Sequence, residues 1–329
     1  IGMRVPEPDA DRLGRWFEQQ SDSGSLVEYL KTFDVTVGVM QTPEGLRRVA
    51  KEFVEDLHAD GVIYGEIRWA PEQHLTRGLS LDEVVDAVQD GIEEGVDSVA
   101  ARGGRIRAGQ LVSAMRHNDS GMEIAQLAVR HRERGAVGFD IAGPEDGFLP
   151  SRMRDAFNYL AHHYLPATVH AGEAAGLDSI RSALFDGRAL RLGHGVRLAE
   201  DIEVEPGDGE SRYVTLGALA EWVKDRQIAL ELSPSSNLQT GAIEQWGDQM
   251  TDHPFDLLYQ MGFRVTVNTD NRLMSNTTIT RELALLGEAF GYDLEDFQVF
   301  QLNAAAATFL AVEEREELAE RIVDGFDAP

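Results

Sequence analysis

The pattern of apolar and polar residues divides the chain into a helical first part and an alternating remainder. Residues 1–60 contain amphipathic stretches with a helical repeat, the clearest of which is TPEGLRRVAKEFVEDLHADG. In this stretch Thr42 is a candidate N-cap, Pro43 suits the first turn, and Gly61 suits the end of the helix. After it, short apolar runs rich in β-branched residues alternate with longer amphipathic stretches, which predicts strands separated by helices.

Seven of these runs have the length and composition of buried strands: GVIYGEIRW, RIRAGQLVSAM, AVGFDIAG, PATVH, ALRLGHG, IALELSPSSN and FRVTVNTD. Apolar strands followed by helices are typical of a parallel sheet that is covered on both faces. We therefore predict an α/β fold, a TIM (β/α)8 barrel, of which one of the eight strands is missing in the chain as given. An open doubly wound sheet is the competing fold, but no glycine-rich phosphate fingerprint follows the first run.

The pattern predicts one barrel domain over residues 1–329, with a helical N-terminal part (1–60), barrel strands and helices (61–290) and C-terminal helices (291–329). The acidic segment 203–213 is predicted to be a surface loop. Because the chain opens on Ile1 and not on Met, we expect it to begin inside a longer gene product. Ile1 and Gly2 would then end the first barrel helix.

Composition limits the possible chemistry. Hydrophobic residues make up 43% and charged residues 26%, as in soluble globular proteins. The chain has no cysteine, so any metal must bind His, Asp or Glu. A net charge of -27 would repel a phosphate backbone, and no apolar run approaches the roughly 20 residues that cross a bilayer. We expect a small-molecule partner, no nucleic acid, no membrane and, without a secretory signal, a cytoplasmic location.

Three runs end in side chains that bind metals or protons. VHAGE places His170 and Glu173 at such an end, RLGHGVR places His194 between glycines, and VTVNTDN runs into Asp270. Each alone has an ordinary explanation: a hydrogen-bonded histidine beside a capping glutamate, a turn histidine, and a helix N-cap. Together they would converge at one mouth of a barrel, where nitrogen and oxygen donors suit a divalent metal such as zinc. Metal-activated water makes hydrolysis the natural reaction class.

Six ordered stretches resemble motifs of the adenosine deaminase family: SAMRH, GFDIAGPE, TVHAGEA, RLGHGVR, LSPSSNLQTGA and VTVNTDN. The resemblance implies a zinc-dependent TIM-barrel hydrolase of purine salvage, with one zinc ion per chain. Its expected reaction is the deamination of adenosine or 2′-deoxyadenosine to inosine or 2′-deoxyinosine and ammonia, so the expected partner is a purine nucleoside.

The resemblance also implies residue roles. His170 and Asp270 resemble zinc ligands, and Asp270 would in addition orient the nucleophilic water. Glu173 resembles the acid that protonates N1 of the purine, and burial beside apolar walls would raise its pKa enough for that task. His194 resembles the base or the electrostatic partner of the water.

Two further positions are implied to contact substrate. Gly143 would place its backbone N–H against purine N3, where no side chain could fit. Asn271 stands where the family usually carries a second aspartate near N7, and an amide can still donate a hydrogen bond to N7. Of the remaining histidines, His117 beside Arg116 is the candidate for supporting a ligand, and most others, among them His253, look like helix-surface or structural residues.

Family members begin their barrel with an H-x-H strand that supplies two metal ligands, and no H-x-H occurs in this chain. The absence of H-x-H implies that the first strand of the family's barrel is missing from the chain as given, in agreement with the count of seven strands. It leaves two alternatives open: a related deaminase of adenine or a modified adenosine, and a catalytically inactive homologue that binds a purine nucleoside. The sequence predicts no oligomeric state.

Overall fold

The computed structural model describes residues 5–209 and 211–327, so the prediction for Ile1 and Gly2 lies outside the described residues. The strands are β1 (Tyr64–Trp69), β2 (Arg107–Met115), β3 (Ala136–Ala142), β4 (Thr168–Ala171), β5 (Arg191–His194), β6 (Ile202–Pro206), β7 (Arg212–Leu216), β8 (Ala229–Leu232) and β9 (Val265–Val267).

The α-helices are α1 (Ala10–Ser21), α2 (Leu26–Leu30), α3 (Phe33–Val39), α4 (Pro43–Ala59), α5 (Leu81–Ala101), α6 (Gly121–Arg130), α7 (Arg154–His162), α8 (Leu177–Phe185), α9 (Ala218–Asp225), α10 (Pro234–Gln239), α11 (Phe255–Gln260), α12 (Arg272–Ser275), α13 (Ile279–Phe290), α14 (Leu294–Ala307) and α15 (Val312–Asp327). The predicted N-cap of α4 is confirmed, since the Thr42 side chain accepts a hydrogen bond from the Gly45 N–H.

The seven predicted runs form parallel strands. They pair in the orders β1-β2-β3 and β4-β5-β8-β9, and a parallel bridge between Phe139 and Ala167 joins the two groups. Within residues 5–209 and 211–327, β1 and β9 are the end strands, and no strand lies between them. In an eight-stranded barrel one further strand would lie between β1 and β9, so the prediction of a barrel without its first strand is confirmed.

The predicted surface loop at 203–213 is instead largely an antiparallel hairpin of β6 and β7. Val204 pairs with Val214, and Glu205 pairs with Tyr213. The prediction was wrong because it weighted the acidic residues and the Pro-Gly turn over the alternating β-branched and aromatic side chains beside them.

The core lies between the parallel strands and the helices around them. Five of the parallel strands, β3, β4, β5, β8 and β9, each contribute one fully buried apolar side chain: Phe139, Val169, Leu192, Leu230 and Val265. Burial of one such side chain contributes about 1.5–3 kcal/mol, so this layer holds the strands in register and fixes where their carboxyl ends lie.

The N-terminal helices pack near the carboxyl ends of the strands. Helix α1 contacts α12, which follows β9, and the Gly24 N–H donates to the Gln239 carbonyl at the end of α10 (2.8 Å). Phe17, Tyr29 and Met274 form a separate apolar cluster there. The helical part therefore covers the side of the barrel where strand-end residues gather. In the described residues, no helix combines the length and the apolar character needed to cross a membrane.

Candidate active site

The predicted site residues lie at or just after the carboxyl ends of barrel strands. His170 lies in β4 and His194 ends β5, while the others follow β3, β4 or β9: Gly143, Glu173, Asp270 and Asn271. A parallel barrel directs the carboxyl ends of all its strands to one face, which is where such folds build active sites.

Four side chains, His170, Glu173, His194 and Asp270, form a group that we call the mouth cluster. Glu173, His194 and Asp270 each offer a ligand atom within 4.8 Å of the others. The Nε2 atom of His194 lies 3.5 Å from Oε2 of Glu173, and the rings of His170 and His194 have centroids 5.3 Å apart. The structure thus brings together the residues that the sequence singled out, although His170 lies outside the tightest group.

Two members of the mouth cluster have an unusual backbone. His194 has φ 62° and Asp270 has φ 49°, both in the left-handed region that side chains other than glycine rarely adopt. Such a conformation costs about 1–3 kcal/mol and persists only where the surroundings enforce it. The surrounding structure therefore holds His194 and Asp270 in a strained conformation that directs both side chains to the mouth.

A buried carboxylate holds the turn that carries Glu173. Glu145 accepts hydrogen bonds from four successive backbone N–H groups, at 2.7, 3.0, 2.7 and 3.0 Å, in residues 172–175. Burial alone would raise the pKa of Glu145, but Arg116 and these hydrogen bonds outweigh it and lower the pKa. The anchored turn fixes the direction of the Glu173 side chain. The sequence showed Glu145 inside GFDIAGPE but gave no reason to assign it this role.

Glu173 itself is buried, with 5% of its surface exposed. Burial raises its pKa, and the nearby His194 offsets only part of that effect. Its Oε1 atom has no hydrogen-bond partner among the described residues. A carboxyl group in this state favours the protonated form and can donate a proton to a bound molecule.

His170 is oriented by Asp140. The Nδ1 atom of His170 lies 2.7 Å from Oδ2 of Asp140, and the backbone N–H of His170 donates to Oδ1 at 3.1 Å. Burial would raise the pKa of Asp140, but His170 and Arg68 together lower it to about 2. On the other side of the ring, the Nε2 atom of His170 accepts a hydrogen bond from Nη1 of Arg68 at 3.4 Å, and a metal ion bound to Nε2 would replace this contact. Histidines that bind metals commonly have such a carboxylate behind them.

Asp270 is held by two neighbours. Its Oδ2 atom accepts from the Ser236 hydroxyl (2.7 Å), and its Oδ1 atom accepts from the Asn271 amide (2.6 Å). An amide group carries two N–H bonds, so Asn271 can bind Asp270 and still donate to a substrate atom.

The structure shows the surroundings of two further histidines. His117 is exposed and contacts Phe148, whereas the neighbouring Arg116 is buried and donates to the His170 carbonyl at 3.1 Å. His253, which the sequence left with the helix-surface and structural residues, is 2% exposed and lies 3.2 Å from the side chain of Asn237. No local pattern marks His253, because it precedes a short helix in an irregular segment.

The donors of the mouth cluster fit a divalent metal ion. Imidazole nitrogens and carboxylate oxygens are the ligands that zinc takes in sites without cysteine. His170 and Asp270 supply one donor of each kind, and the unpartnered Oε1 of Glu173 shows that the site has polar capacity that the described residues leave unused. Catalytic zinc commonly has three protein ligands, so the two predicted ligands account for part of such a set.

Comparison with known proteins finds the same family that the six sequence motifs resemble. The sequence model of the adenosine deaminase family matches residues 1–325. Adenosine deaminase 1 of Streptomyces coelicolor is 55% identical over 311 residues, which cover 94% of this chain and 76% of that protein.

Two solved structures share the fold. An adenine deaminase from Arthrobacter aurescens superposes with a TM-score of 0.83 at 20% identity and covers 99% of this chain and 92% of its own. An amidohydrolase from Burkholderia ambifaria with bound Zn has a TM-score of 0.81 at 19% identity, covering 98% of this chain and 84% of its own. At these identities the superpositions establish the barrel fold alone.

Proposed function

This chain belongs to the adenosine deaminase family, and we propose that it removes the 6-amino group of adenosine or 2′-deoxyadenosine by hydrolysis. The products are inosine or 2′-deoxyinosine and ammonia. The observation that carries the proposal is the buried Glu173, whose pKa is raised beside His194 and Asp270 at the barrel mouth. A protonated carboxyl in that position is the group that a purine ring nitrogen needs before C6 can be attacked.

The metal in this proposal is zinc, one ion per chain, with His170 and Asp270 among its ligands. A bound divalent ion acts as a Lewis acid that lowers the pKa of water towards neutrality and so makes a nucleophile available at physiological pH. The zinc-bound amidohydrolase of the same fold and the nitrogen and oxygen donors support this choice. Other divalent ions accept the same ligands, so metal analysis of the purified protein decides the identity.

The residues of the mouth cluster supply the proton transfers. Glu173 donates a proton to N1, which makes C6 electrophilic, and Asp270 orients the water that adds there. One hydrogen of the water leaves with ammonia, the other returns to Glu173, and N1 keeps the donated proton, as the product inosine requires. His194 either accepts a proton from the water or stabilises its oxygen by donating a hydrogen bond.

Two residues position the purine ring. Gly143 has φ 99°, and a Cβ atom there would lie 3.1 Å from Nδ1 of His117 and 3.1 Å from the Met115 side chain. A side chain would therefore be crowded and strained at this position, and we assign the backbone N–H of Gly143 to purine N3. Asn271 donates its second amide hydrogen to N7. We place the reaction in the cytoplasm, since the chain has no cysteine for the disulfides common in secreted proteins.

Release of ammonia from adenosine by the zinc-loaded protein tests the proposal, with ammonia release from adenine and release of the substituted amine from an N6-modified adenosine measured in parallel. We expect adenosine to be the preferred substrate. Faster turnover of adenine would replace the proposal with a related purine deaminase. Nucleoside binding without ammonia release would identify an inactive homologue.

A further inference from the structure

A chain of hydrogen bonds runs from the N-terminus of α11 to the mouth cluster. The Phe255 backbone N–H donates to Nδ1 of His253 (3.0 Å), Nε2 of His253 lies 3.2 Å from Oδ1 of Asn237, and Nδ2 of Asn237 lies 2.9 Å from Nδ1 of His194. The three side chains are nearly inaccessible to water, with His253 2%, Asn237 0% and His194 3% exposed. In such surroundings each polar atom must find its partner within the protein.

The backbone amide sets the direction of every bond in this chain. A backbone N–H can only donate, so Nδ1 of His253 accepts, and a neutral ring then carries its hydrogen on Nε2. That Nε2–H donates to Oδ1 of Asn237, which leaves the amide nitrogen facing His194. The amide donates to Nδ1 of His194, so His194 carries its own hydrogen on Nε2, on the side of Glu173.

Burial keeps His253 neutral, as this direction requires. Burial, together with a smaller effect of the neighbouring His194, lowers the pKa of His253 to about 3. At physiological pH the ring therefore has one donor and one acceptor nitrogen, and the backbone amide decides which is which. Rotation of the Asn237 amide by half a turn would place its N–H bonds against the Nε2–H of His253, where no acceptor exists.

We propose that Asn237 and His253 are positioning residues that hold His194 in the tautomer with hydrogen on Nε2. The inference rests on the proposed function and deepens it, because it decides between the two roles that His194 could have. In this tautomer His194 donates a hydrogen bond to the oxygen that adds to C6, and it does not act as the base. Its Nδ1 atom, already occupied by the Asn237 amide, cannot take the proton either.

The substitution Asn237→Asp replaces the amide nitrogen that faces His194 by an oxygen and keeps the shape of the side chain. In Asn237→Asp both side-chain oxygens accept, so His253 keeps its partner while Nδ1 of His194 must become a donor, and a neutral His194 ring then turns its lone pair to the mouth. Loss of one preorganised donor to a developing oxygen charge commonly reduces kcat by about 10²–10³-fold. We expect that loss in kcat with KM and zinc content close to the parent values. An unchanged kcat in a variant whose His194 ring is neutral by nitrogen-15 NMR would overturn the proposal.

His253 can be tested with a matched pair of variants. His253→Gln keeps an amide N–H that can donate to Asn237, whereas His253→Phe fills the space without a donor. We expect the glutamine variant to stay within about tenfold of the parent kcat and the phenylalanine variant to fall about as far as Asn237→Asp. Equal activity of the two variants would reduce His253 to a packing role and contradict the proposal.

The tautomer itself is measurable without turnover. Nitrogen-15 NMR of the zinc-loaded protein with labelled histidine distinguishes a protonated Nδ1 from a protonated Nε2. The expected signals place the hydrogen of both His194 and His253 on Nε2, and Asn237→Asp places a hydrogen on Nδ1 of His194. A parent signal from a protonated Nδ1 in His194 refutes the inference even if the protein deaminates adenosine. A protein that shows the expected tautomer but no turnover refutes the proposed function alone.

Discussion

The barrel interior contains two buried polar groups that are built in opposite ways. The first, which we call the floor network, consists of Glu66, Arg68, Arg191 and Glu231. Arg191 pairs with Glu66 through Nη2 (2.7 Å) and with Glu231 through Nε (2.7 Å), and Arg68 pairs with Glu231 (2.5 Å). Each of these four charges thus has an opposite charge in contact with it, as buried ions require.

Within the mouth cluster, the carboxyl group of Glu173 lacks such compensation. No arginine or lysine within the described ranges forms an ion pair with Glu173, whose closest charged neighbour is His194 at 3.5 Å, and its Oε1 atom has no partner. Two of the cluster's residues also have left-handed backbones. This contrast indicates that the paired buried charges stabilise the barrel, whereas the unpaired carboxyl group of Glu173 marks where the chain binds a ligand or moves a proton.

The largest effect that separates the two groups is expected at Glu173. Glu173→Gln removes the proton donor and keeps the shape, so kcat falls by about 10²–10⁴-fold, the usual contribution of a general acid. Zinc content and the free energy of unfolding stay at or above the parent values, because no ion pair is lost. Ammonia release, metal analysis and denaturant unfolding measure the three quantities. Near-parental turnover would remove Glu173 from the mechanism.

The opposite outcome is expected in the floor network. Arg191→Met leaves Glu66 and Glu231 buried without their shared partner, and breaking a buried ion pair lowers the free energy of unfolding by about 3–5 kcal/mol. Arg105→Met is the matched control, since Arg105 forms an exposed ion pair with Glu317 and such pairs contribute at most about 1 kcal/mol. Equal unfolding curves for the two variants would show that the network does not stabilise the barrel.

The floor network also predicts how stability depends on pH. Burial would raise the pKa of Glu231, but Arg68 and Arg191 lower it from 4.5 to about 2. A lowered pKa in the folded state means that the stabilisation, about 3 kcal/mol, is complete above pH 4.5 and is lost as the pH falls to 2.

The pH prediction is checked by the difference in unfolding free energy between the parent protein and Glu231→Gln. This difference is expected to be constant from pH 7 down to about 5 and to shrink below that value. A difference that does not change down to about pH 2 would mean that Glu231 is not ionised by its arginine neighbours.

The smallest effect is expected at Asn271. Asn271→Ala removes the amide that binds Asp270 and that we assign to purine N7, so kcat/KM falls by about tenfold for a loss of one ordinary hydrogen bond. Asn271→Asp provides the comparison, since an aspartate is what the family usually carries there. A decrease as large as that of Glu173→Gln would move Asn271 from binding into the chemistry.

The sequence predicted the fold and the mouth residues because both depend on local patterns. Apolar runs identify parallel strands, and parallel strands bring their ends together, so His170, His194 and Asp270 could be placed at one mouth before any coordinates. Gly143, by contrast, was assigned through the resemblance to the family.

The residues that support the mouth could not be predicted in this way. Glu145 holds backbone groups 27 or more residues further along the chain, and Asn237 lies 43 residues from His194. Such contacts depend on how the segments after the strands pack above the barrel, and neither Asn237 in the short helix α10 nor His253 in an irregular segment carries a periodic signal of its partner. The strands were predictable because each one is a short apolar run, whereas the loops have no such pattern.

Zinc content measured together with adenosine turnover, on the same preparations of the parent protein and of His170→Ala, tests the account most directly. The account predicts about one zinc ion per chain and ammonia release in the parent, and the loss of both in the variant, because the imidazole held by Asp140 is a ligand. Turnover by metal-free parent protein, or unchanged zinc in His170→Ala, would contradict the metal-dependent mouth cluster as the site of the reaction.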